Sequence, residues 1–435
     1  MPGFYSSQKD ILQAFSGSGI NLTIGIYNPA QIANQQVAED WVQDKVVEFY
    51  GRSSIRRIYI GNYVFKYRDP ESRGDYIASL GYLQTALNNA GYGALVKATM
   101  THSSIVLKPN ITRPSEAEFR NEIIKDMNKV LAILKNNNSP FVIEIFPALY
   151  VRENIHLDPT FAFPDNSDPA RFVKDVNGLV YTNAFDFLYD AFLWALEKAG
   201  AGDLELVVDQ VCWPTDGFPG GNSSAAERFF RALLPRVAGN RGTPKRPGRP
   251  IETYVHSLAD ETMMPDFEPW GRHWGIYRSN GEPKYKIDLT GQGRDIFPAR
   301  AKGIMRMPER WCVFNNATRD LEKVKRQAKI ACDLADCTSL APGGSCSRLS
   351  FEDTVSYKFN EFFQATFQEE GACDFEGLGE VVTENPSRGE CVFPVEVVKG
   401  TQNFFDKQKG GAGAGMHGIN CGYFVLLISV LWALF

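Results

Sequence analysis

Carboxyl, amide, phenol and aromatic side chains stand at or directly after the ends of several short apolar runs in this sequence. They are Asn62, Tyr63, Glu144, Phe146, Gln210, Trp213 and Glu261. Carboxyl groups can act as general acids, general bases or nucleophiles, and amides and phenols can hydrogen-bond hydroxyl groups. Catalytic groups of a barrel of parallel strands gather at the carboxyl ends of those strands. These residues are therefore candidates for one site.

Apolar runs alternate with longer helical patterns in the domain that we assign to residues 1–300. The runs predict strands at residues 20–26, 55–60, 94–100, 141–146, 204–211 and 251–258. Amphipathic patterns at 116–134 and 184–198 are typical of helices between strands. Such alternation predicts parallel strands joined by crossover helices, which is an α/β domain of six βα units.

The composition narrows the class of ligand. Of 435 residues, 46 are Lys or Arg and 51 are Asp or Glu, which gives a net charge of −5. Because no overall basic field exists to attract phosphates, nucleic-acid binding is not expected, and a neutral ligand fits better. Hydrophobic residues make up 44% and charged residues 22%, values that are typical of a globular protein.

The cysteines are concentrated in a second region, which we place at residues 309–398. Six of the eight fall there: Cys312, Cys332, Cys337, Cys346, Cys373 and Cys391. This density is typical of a disulfide framework and so of a secreted protein. A zinc site would need paired short spacings such as C-x2-C, which this sequence lacks, so no metal is expected. The pattern alone leaves the pairing of the six cysteines open.

Residues 399–435 combine a Gly-rich linker with an apolar end. Small residues from Gly411 to Gly415 precede a neutral spacer and an uncharged apolar run at 422–435. That order is typical of a signal for glycosylphosphatidylinositol attachment, which would hold the protein on the outer leaflet of the plasma membrane. The first fifteen residues have no apolar core, so no signal peptide is predicted in the chain as it starts. Either an upstream segment precedes it, or this product does not enter the secretory route.

Further segments carry a family resemblance. They are SGSGINLTIGI, IRRIYIGNYVF, SPFVIEIFP, WPTDG, GTPKRPGRPIETY and RHWGIYRSNGEPKY, followed by WCVFNNATRDLEKVKRQAKIACDLADC, GGSC and VSYKFNEFFQ. The first set resembles plant β-1,3-glucanases of glycoside hydrolase family 17, and the second resembles the cysteine-rich module of carbohydrate-binding family 43. The resemblance implies a (β/α)8 TIM barrel followed by a small, mainly helical, disulfide-rich module. It also implies β-1,3-glucan (callose) as the partner, and no cofactor.

The resemblance places the two catalytic groups at substituted positions. A retaining glycosidase of this kind needs two carboxyl groups roughly 5–5.5 Å apart, one as acid/base and one as nucleophile. The family acid/base is the Glu of a G-N-E run, and here that position is Tyr63. The family nucleophile is the Glu three residues before Trp-Pro, and here that position is Gln210. Because an amide is a very poor nucleophile and a phenol a poor acid, we expect hydrolysis to be lost.

Other carboxyl groups offer an alternative. Asp209 is expected to face away from the cleft, because successive strand side chains point to opposite faces. Glu144 and Glu261 together form a conceivable substitute pair. Substrate contacts are expected of Asn62, Glu144, Phe146, Trp213, Glu261 and Glu268.

Two more expectations come from the resemblance. In the barrel, the first two strands of the family pattern are missing, so the barrel is expected to be truncated at its N-terminus to about six βα units. In the module, Tyr357 and Phe363 are expected either to form a glucan platform or to belong to the core. The implied disulfides are Cys312–Cys373, Cys332–Cys337 and Cys346–Cys391.

Three hypotheses follow for the function. The first is a surface-anchored, extracellular protein that recognises β-1,3-glucan and no longer hydrolyses it. The second is an active endo-1,3-β-glucosidase that uses other carboxylates. The third is a remnant whose truncated barrel never folds stably. No protein partner is inferred from the sequence.

Overall fold

The computed structural model describes residues 3–4, 7–154, 156–262 and 269–398. Its strands are β1 (Gly3–Phe4), β2 (Asn21–Ile26), β3 (Ser54–Ile60), β4 (Lys97–Thr99), β5 (Thr101–His102), β6 (Phe141–Ile145), β7 (Val173–Lys174), β8 (Val180–Tyr181), β9 (Leu206–Val211), β10 (Thr253–Val255), β11 (Trp311–Phe314) and β12 (Gly379–Val382). Its α-helices are α1 (Lys9–Ala14), α2 (Gln35–Val42), α3 (Val64–Tyr67), α4 (Pro70–Asn89), α5 (Ile124–Asn137), α6 (Pro147–Glu153), α7 (Ala184–Lys198), α8 (Ser223–Ala238), α9 (Leu321–Asp333) and α10 (Phe351–Ala365).

The first domain is built on parallel strands. One sheet has the order β1-β2-β3-β4, and the other has the order β5-β6-β9-β10. Only Met100 separates β4 from β5 along the chain, so one sheet leads directly into the other. Helices α1, α2, α4, α5, α7 and α8 lie between successive strands, as crossover connections of a parallel sheet require. This is the α/β arrangement of the TIM-barrel type that the sequence predicts.

Side chains from distant strands meet inside the curve of these sheets. Tyr59, Val142 and Val207 form a buried cluster of their own. The Arg57 guanidinium group on β3 donates two hydrogen bonds of 2.7 Å to the Glu252 carboxylate, which lies directly before β10. Because β3 and β10 belong to different sheets, these contacts join the two sheets across the interior.

Strand ends shift by one or two residues, and the strand predicted at 251–258 spans only Thr253–Val255. The observed elements differ from the predicted ones at three further places. β1 adds a short parallel strand beside β2, and two residues are too few to produce a periodic pattern. The predicted strand at 94–100 begins only at residue 97, because a turn at Tyr92 occupies the residues before it. The predicted helix at 116–134 begins at Ile124, because the Glu116 carboxylate accepts hydrogen bonds from the backbone of Thr112 and Arg113 in a local turn.

The second domain is the small helical module. Helices α9 and α10 pack beside the antiparallel pair β11–β12, around a core that includes Phe359 and Phe363. Its disulfides are Cys312–Cys373, Cys332–Cys337 and Cys346–Cys391. These are the three pairs that the resemblance implies.

A polar interface joins the two domains. The Arg272 guanidinium group of the barrel lies 3.0 Å from the Asp336 carboxylate of the module, and both side chains are buried. The barrel's Asp216 carboxylate accepts hydrogen bonds from the hydroxyl groups of Ser339 and Ser345 at 2.9 and 2.6 Å. Buried polar groups are costly unless they are paired, so this pairing fixes one register between the domains.

The C-terminal anchor signal predicted at Gly411 to Gly415 lies outside the described residues. In the parts of the chain that are described, no helix has the length and apolar character needed to cross a bilayer.

Candidate active site

β3 ends in a tight turn that positions Tyr63. Tyr63 has a left-handed backbone, with φ 50° and ψ 37°, directly before α3. Gly61 has a φ of 72°, and a Cβ atom there would lie 2.7 Å from the Tyr76 ring, so the turn requires glycine. The Lys66 ammonium group lies 5.4 Å from the centroid of the Tyr63 ring. Left-handed residues other than glycine are uncommon and concentrate at functional sites.

A β-bulge in β9 orients Asp209 and Gln210. Between successive paired positions, β6 advances from residue 143 to 144 while β9 advances from 208 to 210, so β9 contains one extra residue. The Tyr59 hydroxyl inside the barrel donates a 2.7 Å hydrogen bond to Asp209, and Gln210 lines the cleft. Asp209 is absent from the described lining of the cleft, as expected, but its hydrogen bond to Tyr59 places its side chain in the barrel interior. A bulge breaks the alternation of faces on which the expectation for Asp209 depended.

Tyr63 and Gln210 line one cleft at the carboxyl ends of the strands. The cleft has a volume of about 470 Å³, and Phe146, His256 and Trp274 also line it. The rings of Phe146 and Trp274 meet edge to face, with centroids 5.4 Å apart and planes at 69°. The structure thus brings together two aromatic rings and the two residues that the resemblance assigns to catalytic positions.

The charges of this cleft are unlike those expected of a glycosidase. Among the described residues that line it, Glu153 is the only carboxylate. Lys66, Lys108 and Arg120 contribute positive charges to the same lining. A retaining mechanism needs two carboxyl groups at close range, and the described lining provides one.

Glu144 lies beneath the cleft floor. Its side chain is 2% exposed, and the hydroxyl groups of Tyr63 and Thr101 face its carboxyl group. Burial, together with the nearby Asp209 carboxylate, raises the pKa of Glu144 to about 8. Glu144 is therefore a neutral carboxylic acid at pH 7 and below.

Glu261 has a similar environment. Burial, and to a smaller extent the neighbouring Asp260, raises the pKa of Glu261 to about 8. Its closest basic group is the His256 ring, whose Nε2 atom lies 3.7 Å from the Glu261 Oε1 atom. Because burial lowers the pKa of His256 to about 4, the ring is neutral and forms no ion pair with Glu261.

The remaining predicted residues lie elsewhere. Trp213 is 4% exposed and packs between Phe163 and Phe229, so its ring belongs to the core rather than to the cleft wall. The Asn62 Oδ1 atom is buried, with no hydrogen-bond partner among the described residues. Glu268 lies outside the described residues.

The platform candidates of the module are both buried. Tyr357 is 4% exposed and Phe363 is 2% exposed. Phe363 belongs to the module core, whereas Tyr357 lines a cavity between the domains.

The comparison with known proteins starts from the barrel. The sequence profile described as "Glycosyl hydrolases family 17" matches residues 3–289. The chain belongs to glycosyl hydrolase family 17. The profile described as "X8 domain" matches residues 310–380, which lie in the disulfide-bonded module.

Relatives within glycosyl hydrolase family 17 match nearly the whole chain. It is 35% identical to glucan endo-1,3-beta-glucosidase 8 of Arabidopsis thaliana, over 99% of this chain and 87% of that protein. It is 28% identical to glucan endo-1,3-beta-D-glucosidase of Olea europaea, over 90% of this chain and 86% of that protein. A solved β-1,3-glucanase and allergen of Cryptomeria japonica pollen superimposes with a TM-score of 0.62 at 28% identity, covering 66% of this chain and 89% of that one.

Two residues of this family 17 cleft were missed by reasoning from the sequence. His256 directly follows β10, so its position after a strand was a usable signal. Trp274 lies within the segment RHWGIYRSNGEPKY, which supported the resemblance but did not single out one residue. Its place beside Phe146 depends on how the loop after β10 folds over the cleft.

Proposed function

We propose that this protein recognises β-1,3-glucan at the cell surface and has lost the ability to hydrolyse it. The observation that carries this proposal is the composition of the cleft. Tyr63 and Gln210 occupy the positions of the family acid/base and nucleophile, and the only carboxylate of the described lining is Glu153.

The protonation states support the loss of hydrolysis. Glu144 and Glu261 both have a pKa of about 8 and are neutral at pH 7 and below. A neutral carboxylic acid can donate a proton, but it is neither a nucleophile nor a negative charge that stabilises an oxocarbenium ion. A pair of neutral acids can therefore supply the proton donor of a retaining mechanism but not its nucleophile.

Glucan recognition is supported by what remains in the cleft. Gln210 and Tyr63 retain hydrogen-bonding groups for sugar hydroxyls. The rings of Phe146 and Trp274 add apolar surface to the same cleft. A cleft of about 470 Å³ falls within the usual range for sites that enclose small ligands.

Secretion and anchoring belong to the same proposal. Three disulfides are typical of proteins from oxidising compartments, which supports an extracellular location. The order of small residues, spacer and apolar run in residues 399–435 supports attachment to a lipid of the outer plasma-membrane leaflet. Release of the cell-surface protein by a phosphatidylinositol-specific phospholipase would test this part.

The experiment that tests the central claim uses the purified full chain and the soluble β-1,3-glucan laminarin. We expect affinity electrophoresis to detect binding, and we expect no reducing ends to be released above background. The variant Trp274→Ala is the control for the site, because it removes apolar surface from the cleft and should weaken binding.

A second candidate is an active endo-1,3-β-glucosidase. The raised pKa of Glu144 favours it in one respect, because carboxyl groups with such a pKa are good proton donors near neutral pH. Robust cleavage of laminarin that disappears in Glu144→Gln would establish this candidate and overturn our proposal.

A further inference from the structure

A second cavity lies between the barrel and the disulfide-bonded module. It has a volume of about 590 Å³, far more than one water molecule requires and within the range of small-molecule sites. Exposed Arg348 and Glu390 also line it, so the cavity is open to solvent. None of its lining residues belongs to the lining of the barrel cleft.

Most charged groups of this cavity already have protein partners. The Asp260 carboxylate is paired with the Lys284 ammonium group, and the Asp216 carboxylate accepts hydrogen bonds from Ser345. Asp336 is paired with Arg272 of the barrel. Since Asp260 and Asp336 are paired with cations and Asp216 is hydrogen-bonded, these carboxylates do not require a charged ligand.

Among the buried polar side chains of the described lining, Glu361 is the exception. Its side chain on α10 lines the cavity and is 9% exposed, and its Oε1 atom has no hydrogen-bond partner among the described residues. A buried polar atom without a partner destabilises the folded protein, so it marks a place where a partner is missing. The Tyr357 hydroxyl contacts the same carboxyl group, and Tyr357 lines the cavity as well.

The chemistry of Glu361 indicates the kind of ligand. Burial and the nearby Asp336 raise the pKa of its carboxyl group well above the ordinary value, which favours the protonated form, and that form can both donate and accept a hydrogen bond. A sugar hydroxyl has the same dual capacity. A metal ion fits less well, because no three His, Cys, Asp or Glu side chains in the described part of the chain are grouped to hold one.

We propose that this interdomain cavity is a second saccharide site, which takes a short β-1,3-linked glucan through hydrogen bonds to Glu361 and to the hydroxyl groups around it. The choice of glucan rests on the proposed function, whereas the site itself rests on the unpartnered Glu361 oxygen. Because both domains line the cavity, a bound oligosaccharide would also hold the module in place against the barrel.

The test is a calorimetric titration of the full chain with laminaritriose. We expect two equivalents to bind, one in the barrel cleft and one in the cavity. Glu361→Leu should weaken one of them about tenfold, because it removes both polar atoms at similar size. Glu361→Gln is the matched control and should bind within about twofold of the wild type, because an amide also donates and accepts.

Two measurements guard against a misfolded variant. Glu361→Leu should unfold at no lower temperature than the wild type, because replacing an unpartnered buried polar group by an apolar one is neutral or stabilising. Ser224→Trp places a bulky ring in the cavity from an exposed lining position and should cause the same loss of binding.

The outcomes separate this inference from the proposed function. A single equivalent that Trp274→Ala weakens and Glu361→Leu leaves unchanged would overturn the cavity site and leave the cleft proposal standing. A single equivalent that only the Glu361→Leu and Ser224→Trp variants weaken would support the cavity and contradict glucan binding in the cleft. Absence of any binding would overturn both.

Discussion

Glu144 and Glu261 of the barrel, and Asp260 beside the domain interface, are all buried carboxyl groups, yet their protonation is opposite. No cation among the described residues outweighs the burial of Glu144 or Glu261, since Lys66 only partly lowers the pKa of Glu144, and each group has a pKa of about 8. Burial alone would also raise the pKa of Asp260 at the interface. The Lys284 ammonium group and the His273 ring beside Asp260 overcome this effect, and the pKa is lowered instead.

The comparison teaches that the partner, and not the depth of burial, decides the charge of these groups. At the interface, paired charges fix the relative position of two domains. In the cleft, an amide and a phenol provide hydrogen-bonding groups without a charge, and the neutral acids Glu144 and Glu261 are not among the described residues of its lining. The predictions below alter one side of this contrast at a time.

The largest expected effect comes from restoring charge to the cleft. Tyr63→Glu combined with Gln210→Glu should produce release of reducing ends from laminarin, while either single variant stays at background. Members of a catalytic unit depend on each other, and loss of one costs on the order of 10⁴ to 10⁶ in turnover. A double variant as inactive as the wild type would show that the defect lies elsewhere in the barrel.

Removing one partner of an interface pair should cost the most stability. Asp336→Ala removes the carboxylate that lies 3.0 Å from the buried Arg272 guanidinium group, and this should lower the free energy of unfolding by roughly 3–5 kcal/mol. Urea unfolding measures this loss. Asp333→Ala, which breaks the exposed pair with Lys329, is the matched control and should change the free energy of unfolding by less than about 1 kcal/mol. Equal losses in both variants would refute the contrast between buried and exposed pairs.

Glu144→Gln should make the free energy of unfolding less dependent on pH. The folded protein keeps a proton on Glu144 up to about pH 8, whereas the unfolded chain releases it near the ordinary value of 4.5. Between these values the wild type therefore loses stability as pH rises, by roughly 1.4 kcal/mol per pH unit from this group. Urea unfolding at several pH values should show a shallower slope for Glu144→Gln.

The control for this slope is Glu322→Gln, since the Glu322 side chain is 79% exposed. Its slope should match that of the wild type. A Glu144→Gln slope that also equals the wild type would mean that the Glu144 carboxyl group ionises normally in the folded protein.

The smallest expected effect concerns the aromatic wall. Phe146→Ala should weaken laminarin binding by about five- to tenfold, because the ring contributes apolar surface and an edge-to-face contact with Trp274. Affinity electrophoresis measures the change. Tyr50→Ala, an exposed aromatic residue outside the cleft lining, should leave the affinity unchanged, and equal losses in both would contradict a specific role for Phe146.

Local pattern was enough to predict the secondary structure where an element makes its own contacts. The helix predicted at 184–198 has those bounds, because Asn183 caps its first turn and an apolar face runs along its length. The helix predicted from 116 failed because the Glu116 side chain satisfies the backbone of a turn instead. Both outcomes depend on hydrogen bonds from side chains to the backbone, which support the helix in the first case and compete with it in the second, and spacing alone does not rank them.

The sequence by itself predicted the alternation of strands and helices, the disulfide-rich module and, through the resemblance, the substituted catalytic positions Tyr63 and Gln210. Only the tertiary structure decided that β9 contains a bulge, with Asp209 bonded to Tyr59 and Gln210 lining the cleft, and that Glu144 keeps its proton. It also decided that Glu361 faces a cavity shared by two domains. The reason is physical: periodicity is a property of neighbouring residues, whereas burial and charge partners depend on segments far apart in the chain.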